Sequence, residues 1–171
     1  MADIAFLLLI FFLVTSMIPN DKGIARKLPQ KCLPGAICDI DIAVRNLFQI
    51  YLNETGELLV NNQLTPIERL GTKLVAFIDN NGSKSCHYCT GAQLATSSEH
   101  PTKAVISLST HRLTPYSEFI RVHDEITKAY KELRTHYLTT ILKKEEDQLT
   151  NRDLNEIKEA YPFLISEAEL K

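Results

Sequence analysis

Apolar residues are distributed along this chain in two unlike ways. From Ile4 to Ile18 (IAFLLLIFFLVTSMI) they run almost without a break, whereas beyond Ala43 they recur with the spacings of strands and helices. Between the two, Asp21 to Asp41 carries Gly23, Pro29, Pro34 and Gly35 among charged residues with no sustained hydrophobic period, which reads as a tether. Leu47–Leu52 and Glu57–Asn61, parted by the turn cluster Asn53-Glu54-Thr55-Gly56, predict a β-hairpin. Thr65-Pro66-Ile67-Glu68 predicts a capped helix start, with Thr65 as cap, Pro66 in the first helical position and Glu68 closing a capping box. Ile67, Leu70, Leu74, Val75 and Ile78 then share one helical face.

Residues 80–102 are rich in Gly, Ser, Asn and Thr and predict a long surface insertion. Lys103–Ser109 alternates as a strand. Ser117 is placed to cap a long helix whose Phe119, Val122, Ile126, Ala129 or Tyr130, Leu133, Tyr137 and Ile141 recur every three or four residues. A short helix over 151–161 stops at Pro162, and Phe163–Ser166 predicts a closing edge strand. The order β-β-α-β-α-(α)-β predicts an α+β domain over 43–171, two main helices packed on one side of a mixed sheet.

The apolar run by itself has two readings. Its fifteen residues suit the h-region of a signal peptide, with Val14-Thr15-Ser16 as a cleavage region, but the absence of Lys or Arg before it favours a retained anchor. A full span needs about 20 residues. Under either reading the remainder of the chain is exported. Asp3 immediately precedes the run, and a carboxylate at membrane depth costs about 2.5 to 3.5 kcal/mol on insertion scales, so chains that keep one generally use it for proton or ion handling.

Charge and cysteine content narrow the class. Nineteen Lys and Arg against 21 Asp and Glu leave a net charge of −2, which excludes the basic footprint of a nucleic-acid binder. Cys32, Cys38, Cys86 and Cys89 suit an oxidising compartment, with three connectivities open. Cys86-His87-Tyr88-Cys89 admits three uses: a structural disulfide, which is the preferred reading, a thioredoxin-like exchange site with Cys86 as nucleophile and Cys89 as resolving thiol, or a zinc site shared with Cys32 and Cys38. His87, His100, His111, His123 and His136 show no metal-ligand spacing, so no metal or cofactor is expected. No nucleophile, base or phosphate-binding loop stands out, and the domain reads as one that binds partners, not as an enzyme. Exposed strand edges at Lys103–Ser109 or Phe163–Ser166 are candidate docking sites for a partner strand.

Met1-Ala2-Asp3 with the run to Thr15, followed by Gly23-Ile24-Ala25-Arg26-Lys27-Leu28-Pro29, resembles the ExbD/TolR family of biopolymer transport proteins. So do Leu58–Asn62 before a helix, Val105–Leu108 before Tyr116, and the closing Ala160-Tyr161-Pro162 with Ile165–Glu169. The resemblance covers nearly the whole chain apart from the cysteine-bearing insertion.

The resemblance implies a single transmembrane helix over 1–19, a periplasmic linker over 20–42 carrying the Leu28-Pro29 element, and a periplasmic domain over 43–171. It implies an inner-membrane subunit of an ExbB–ExbD motor that uses the proton gradient to energise a TonB-like transducer, with the domain dimerising and, as in TolR-type relatives, meeting the cell wall. Carried residue by residue, Asp3 is the proton-binding carboxylate, enclosed by helices of an ExbB-like channel subunit, and Thr15 and Ser16 are candidate pore-lining hydroxyls. Two features depart from the family. In the family a cytoplasmic tail and part of the helix precede the Asp, and here Lys22, Arg26, Lys27 and Lys31 follow the run, on the side that the positive-inside rule assigns to the cytoplasm. A basic segment upstream of Met1 would reconcile both, so an N-terminally truncated start is expected.

Overall fold

The structure is a computed structural model that describes residues 2–15 and 42–170. It divides into two units, Met1–Ile37 and Cys38–Lys171. In the first, Ala2–Thr15 forms helix α1. At about 1.5 Å of rise per residue its 14 residues extend roughly 21 Å, short of the ~30 Å hydrocarbon core of a bilayer. No helix among the described residues is long and apolar enough to cross a membrane.

The second unit is an α+β domain. Its strands are β1 (Leu47–Leu52), β2 (Leu58–Val60), β3 (Gln63–Leu64), β4 (Val105–His111) and β5 (Ile165–Leu170). They form one five-stranded mixed sheet in the order β3-β2-β1-β4-β5. The predicted hairpin is present, with Ile50 opposite Val60 and Leu52 opposite Leu58. A second, unanticipated hairpin follows: Asn61 and Asn62 both take positive φ (48° and 64°), the conformation of a tight two-residue turn that Asn tolerates, and they return the chain as β3.

β1 runs parallel to β4, with Ile50 beside Leu108, and β4 runs parallel to β5, with Ile106 beside Ile165. Parallel neighbours need long crossover connections, and the helices supply them. Helix α2 (Leu70–Ile78) lies between β3 and β4, and α3 (Tyr116–Tyr137) and α4 (Asn151–Ala160) lie between β4 and β5. Alternation on the strands makes one face the core side. Phe48, Ile50, Leu52, Leu58, Val60, Ile106 and Leu108 are buried with Leu70, Leu74 and Ile78 of α2 and Val122, Ile126, Ala129, Tyr130 and Leu133 of α3. Gln49 on the opposite face is exposed, and Tyr51, Leu59, Ser107 and Ser109 are half-buried.

Four expectations are corrected. Thr65 does not cap α2: it is buried, its hydroxyl donates to the Gln63 carbonyl at 3.0 Å, and a 3-10 turn over Ile67–Arg69 leads into the helix without a side-chain cap. Ser117 is not the cap of α3, because that helix begins at Tyr116 behind Pro115, whose fixed φ already suits a helix entrance. β4 is no edge, since both of its sides are paired, and the open edges are β3 and β5. Residues 80–102 are not simply a surface insertion, because Asn80, Asn81, Cys86, Tyr88 and Ser98 within them are buried.

Candidate functional site

Asp3 lies in the first turn of α1. The helix behind it is apolar around its whole circumference. Ile4, Phe6, Leu7, Leu9, Phe11 and Phe12 are each more than half exposed within their own unit, Phe12 by 67%. A helix with no polar face is stable only when lipid or partner helices surround it. Thr15 closes α1, twelve residues beyond Asp3, so the two backbone positions are separated by roughly 18 Å along the axis and about 120° around it. They do not share one hydrogen-bonding site. Ser16, Leu28, Pro29, Cys32 and Cys38 lie outside the described residues.

In the domain, the best-defined polar constellation is the segment between α2 and β4. Asp79-Asn80-Asn81 leaves the end of α2 and turns its side chains inward. Asn80 Nδ2 donates to the Leu94 and Ser98 carbonyls, each at 2.8 Å, and its Oδ1 accepts from the Leu94 amide at 2.9 Å. Asn81 exchanges a reciprocal pair with Cys86, donating to its carbonyl at 2.9 Å and accepting from its amide at 3.0 Å. Two buried amides thus satisfy loop backbone that would otherwise be orphaned, and this lets a Gly- and Ser-rich segment sit partly inside the protein.

Cys86 and Cys89 form a disulfide. The pair lies in an irregular segment and does not head an α-helix, which removes the electrostatic activation that a thioredoxin-like nucleophile takes from a helix N-terminus. The described residues hold no cluster of His, Cys, Asp or Glu fit for a metal ion, and Cys86 and Cys89 are committed to each other. Tyr88, Tyr137 and Tyr161 pack edge to face behind the disulfide, with centroids 5.1 to 6.3 Å apart. Burial pushes the Tyr88 phenol up to about 12, helped by neighbouring Tyr137 and Asp79, and raises Tyr161 further, so both remain neutral donors. Burial also lowers His100, which packs edge-on against Tyr88.

Two hollows open on the surface of the domain. One, of about 370 Å³, lies at the C-terminal ends of β4 and β5 and is lined by His111, Arg112, Tyr116, Phe119 and Glu167. The other, of about 450 Å³, lies between the first hairpin, Pro66–Glu68 and the start of α3, with Leu52, Leu58 and Val122 inside and Glu57, Glu68 and Glu118 around it. Sequence reasoning missed both, since each is assembled from segments far apart in the chain. It also missed the inward-facing Asn80 and Asn81, although an Asp-Asn-Asn-Gly run after a helix signals side chains able to bond nearby backbone.

The described residues thus comprise a short, wholly apolar helix with Asp3 in its first turn and a small α+β domain on one mixed five-stranded sheet. The family model for the biopolymer transport proteins ExbD/TolR matches residues 1–136, and the chain belongs to that family. No curated protein matches it. The matched span takes in α1, the insertion, the sheet through β4 and nearly all of α3, while α4 and β5 lie beyond it.

Proposed function

We propose that this chain is the proton-responsive subunit of an ExbB–ExbD-type inner-membrane motor that energises TonB-dependent transport across the outer membrane. The observation that carries the reading is Asp3 at the head of a wholly apolar helix, in a chain of the ExbD/TolR family. On this reading residues 1–19 lie in the membrane beside the helices of an ExbB-like channel subunit, 20–42 form the linker with Leu28 and Pro29, and 43–171 form a periplasmic domain. The domain works by binding, not turnover, with a TonB-like transducer, a second copy of itself and the cell wall as its partners.

The chemistry of Asp3 follows from its surroundings in such an assembly. Removing water favours the neutral form of a carboxyl group, and readmitting water on one side favours release of the proton. Each elementary charge crossing the membrane gains about 2.3 kcal/mol per 100 mV, enough over several protons to drive a mechanical step. Thr15 and Ser16 supply hydroxyls near the other end of the apolar segment. In a strain lacking its own copy of the gene, Asp3→Asn is expected to abolish TonB-dependent uptake at normal membrane levels of the protein, and Asp3→Glu to retain part of it. Full uptake by the Asn variant would overturn the proton-carrying role.

A further inference from the structure

The residues that fasten the C-terminal arm of the domain are grouped around the Cys86–Cys89 disulfide. Tyr88 lies between the two cysteines, and its hydroxyl donates to the carbonyl of Ala160, the last residue of α4, at 2.8 Å. Thr90 follows Cys89 and donates through both its amide and its hydroxyl to Asp79 Oδ2, each at 2.8 Å. The other oxygen, Asp79 Oδ1, accepts the Tyr161 hydroxyl at 2.7 Å. Tyr161 begins the extended stretch leading to β5, which is paired only with β4 at the edge of the sheet. The small ring closed by the disulfide therefore fixes two anchors at once: Tyr88 for the end of α4 and, through Thr90 and Asp79, Tyr161 for the approach to β5.

The two cysteines are unequally buried. Cys86 is buried and held by the Asn81 side chain through its backbone, whereas Cys89 is half-buried. A reagent from solvent therefore meets Cys89 first.

We propose that Cys86–Cys89 is a thiol–disulfide exchange site, and that its reduction by an external dithiol releases the arm formed by α4 and β5. The thiolate of the dithiol attacks Cys89 Sγ, the protein S–S bond breaks, and Cys86 leaves as a thiolate that takes up a proton. The second thiol of the reagent then attacks its own sulfur in the mixed disulfide and frees Cys89, which is protonated in turn. Two electrons pass to the protein, and the dithiol departs as a disulfide. Opening the ring restores backbone freedom to His87 and Tyr88, so the Tyr88–Ala160 and Thr90–Asp79 bonds must hold without it. This inference does not depend on Asp3 or on the transport role.

The test uses the full chain in detergent with Cys32→Ser and Cys38→Ser, so that the pair in question is the sole source of thiols. Dithiothreitol is added under native conditions, and alkylation with mass spectrometry is followed beside circular dichroism and hydrogen exchange. Both cysteines are expected to become alkylated without loss of the native dichroism. Amide exchange over 160–168 is expected to rise at least about threefold while that of α2 and the centre of α3 stays unchanged. Cys86→Ser with Cys89→Ser is expected to reproduce this pattern without reductant, and Tyr88→Phe to give part of it with the disulfide intact. Thiols that appear only together with global unfolding would overturn the proposal, as would equal exchange over 160–168 in the oxidised and reduced protein. If the double serine variant does not fold, the reduced and oxidised forms of the parent decide the outcome.

Discussion

The hydroxyl of Tyr161 donates a 2.7 Å hydrogen bond to Asp79 Oδ1, joining the end of α4 to the end of α2 across 82 positions of sequence. Both residues are buried, and the Tyr161 carbonyl is held in turn by Arg134 of α3 at 2.8 and 3.1 Å. Three helices thus meet at one residue. Tyr161→Phe is expected to cost about 1.5 to 3 kcal/mol, the range for a lost hydrogen bond to a charged group. Urea unfolding should show a lower midpoint with an unchanged slope, and an unchanged midpoint would show that this bond contributes nothing net.

Gly91 passes directly over the end of α2. A Cβ built there falls 2.3 Å from the Asp79 carbonyl oxygen and 2.6 Å from Asn80 Cα, both backbone atoms that cannot swing aside. Gly91→Ala is therefore expected to destabilise the domain by about 3 kcal/mol, at the upper end of overpacking effects. Thermal unfolding of the variant measures it, and a melting temperature equal to that of the parent would contradict the close approach.

Helix α4 should respond to acid. Asp153 caps it in a reciprocal box with Thr150, and the Lys144 ammonium at 2.8 and 2.9 Å, followed by the Thr150 bonds, holds its carboxyl at about 2. Its unfolded value is near 3.9. Between these values the unfolded chain binds more protons than the folded one, so the contribution is complete above about 4 and is lost as the pH falls towards 2. Melting curves of the parent and Asp153→Asn over that range should converge as the solution becomes more acid.

Core and surface apolar residues should separate cleanly. Ile126 on α3 is completely buried, and Ile126→Ala is expected to cost about 2 to 5 kcal/mol through lost contacts and the cavity left behind. Leu64 on β3 is 71% exposed, and Leu64→Ala is expected to stay within about 0.5 kcal/mol of the parent. Denaturant titration of the pair checks both values.

Periodicity made much of this fold legible. The first hairpin, the inward stripe of α3 as far as Tyr137 and the stop of α4 before Pro162 follow from spacing and turn chemistry, whereas Ile141, expected on the same stripe, lies beyond the end of α3 and is exposed. Local capping was less so, because Thr65-x-x-Glu68 and Thr150-x-x-Asp153 offer the same signal and only the second forms the box. At Thr65 a strand carbonyl two residues back takes the hydroxyl instead, a competition that spacing does not encode. The insertion was illegible for a related reason. Polar, Gly-rich sequence indicates solvent only when nothing satisfies its backbone inside, and here Asn80 and Asn81 do so. At the apolar end, Asp3 was visible as an oddity of composition, and it stands in the first turn of α1.

The parallel run of β1, β4 and β5 has a mechanical consequence. Because β1 and β5 point the same way, chain entering at Leu47 and chain leaving at Leu170 attach to opposite ends of the sheet. Tension applied between those two points is directed along the strands, and it loads the rungs between β1 and β4 and between β4 and β5 together, as a shear. Rungs loaded together share the force, whereas a hairpin pulled from its open end gives way one rung at a time. Pulled between these two points, the domain resists with both sets of rungs at once.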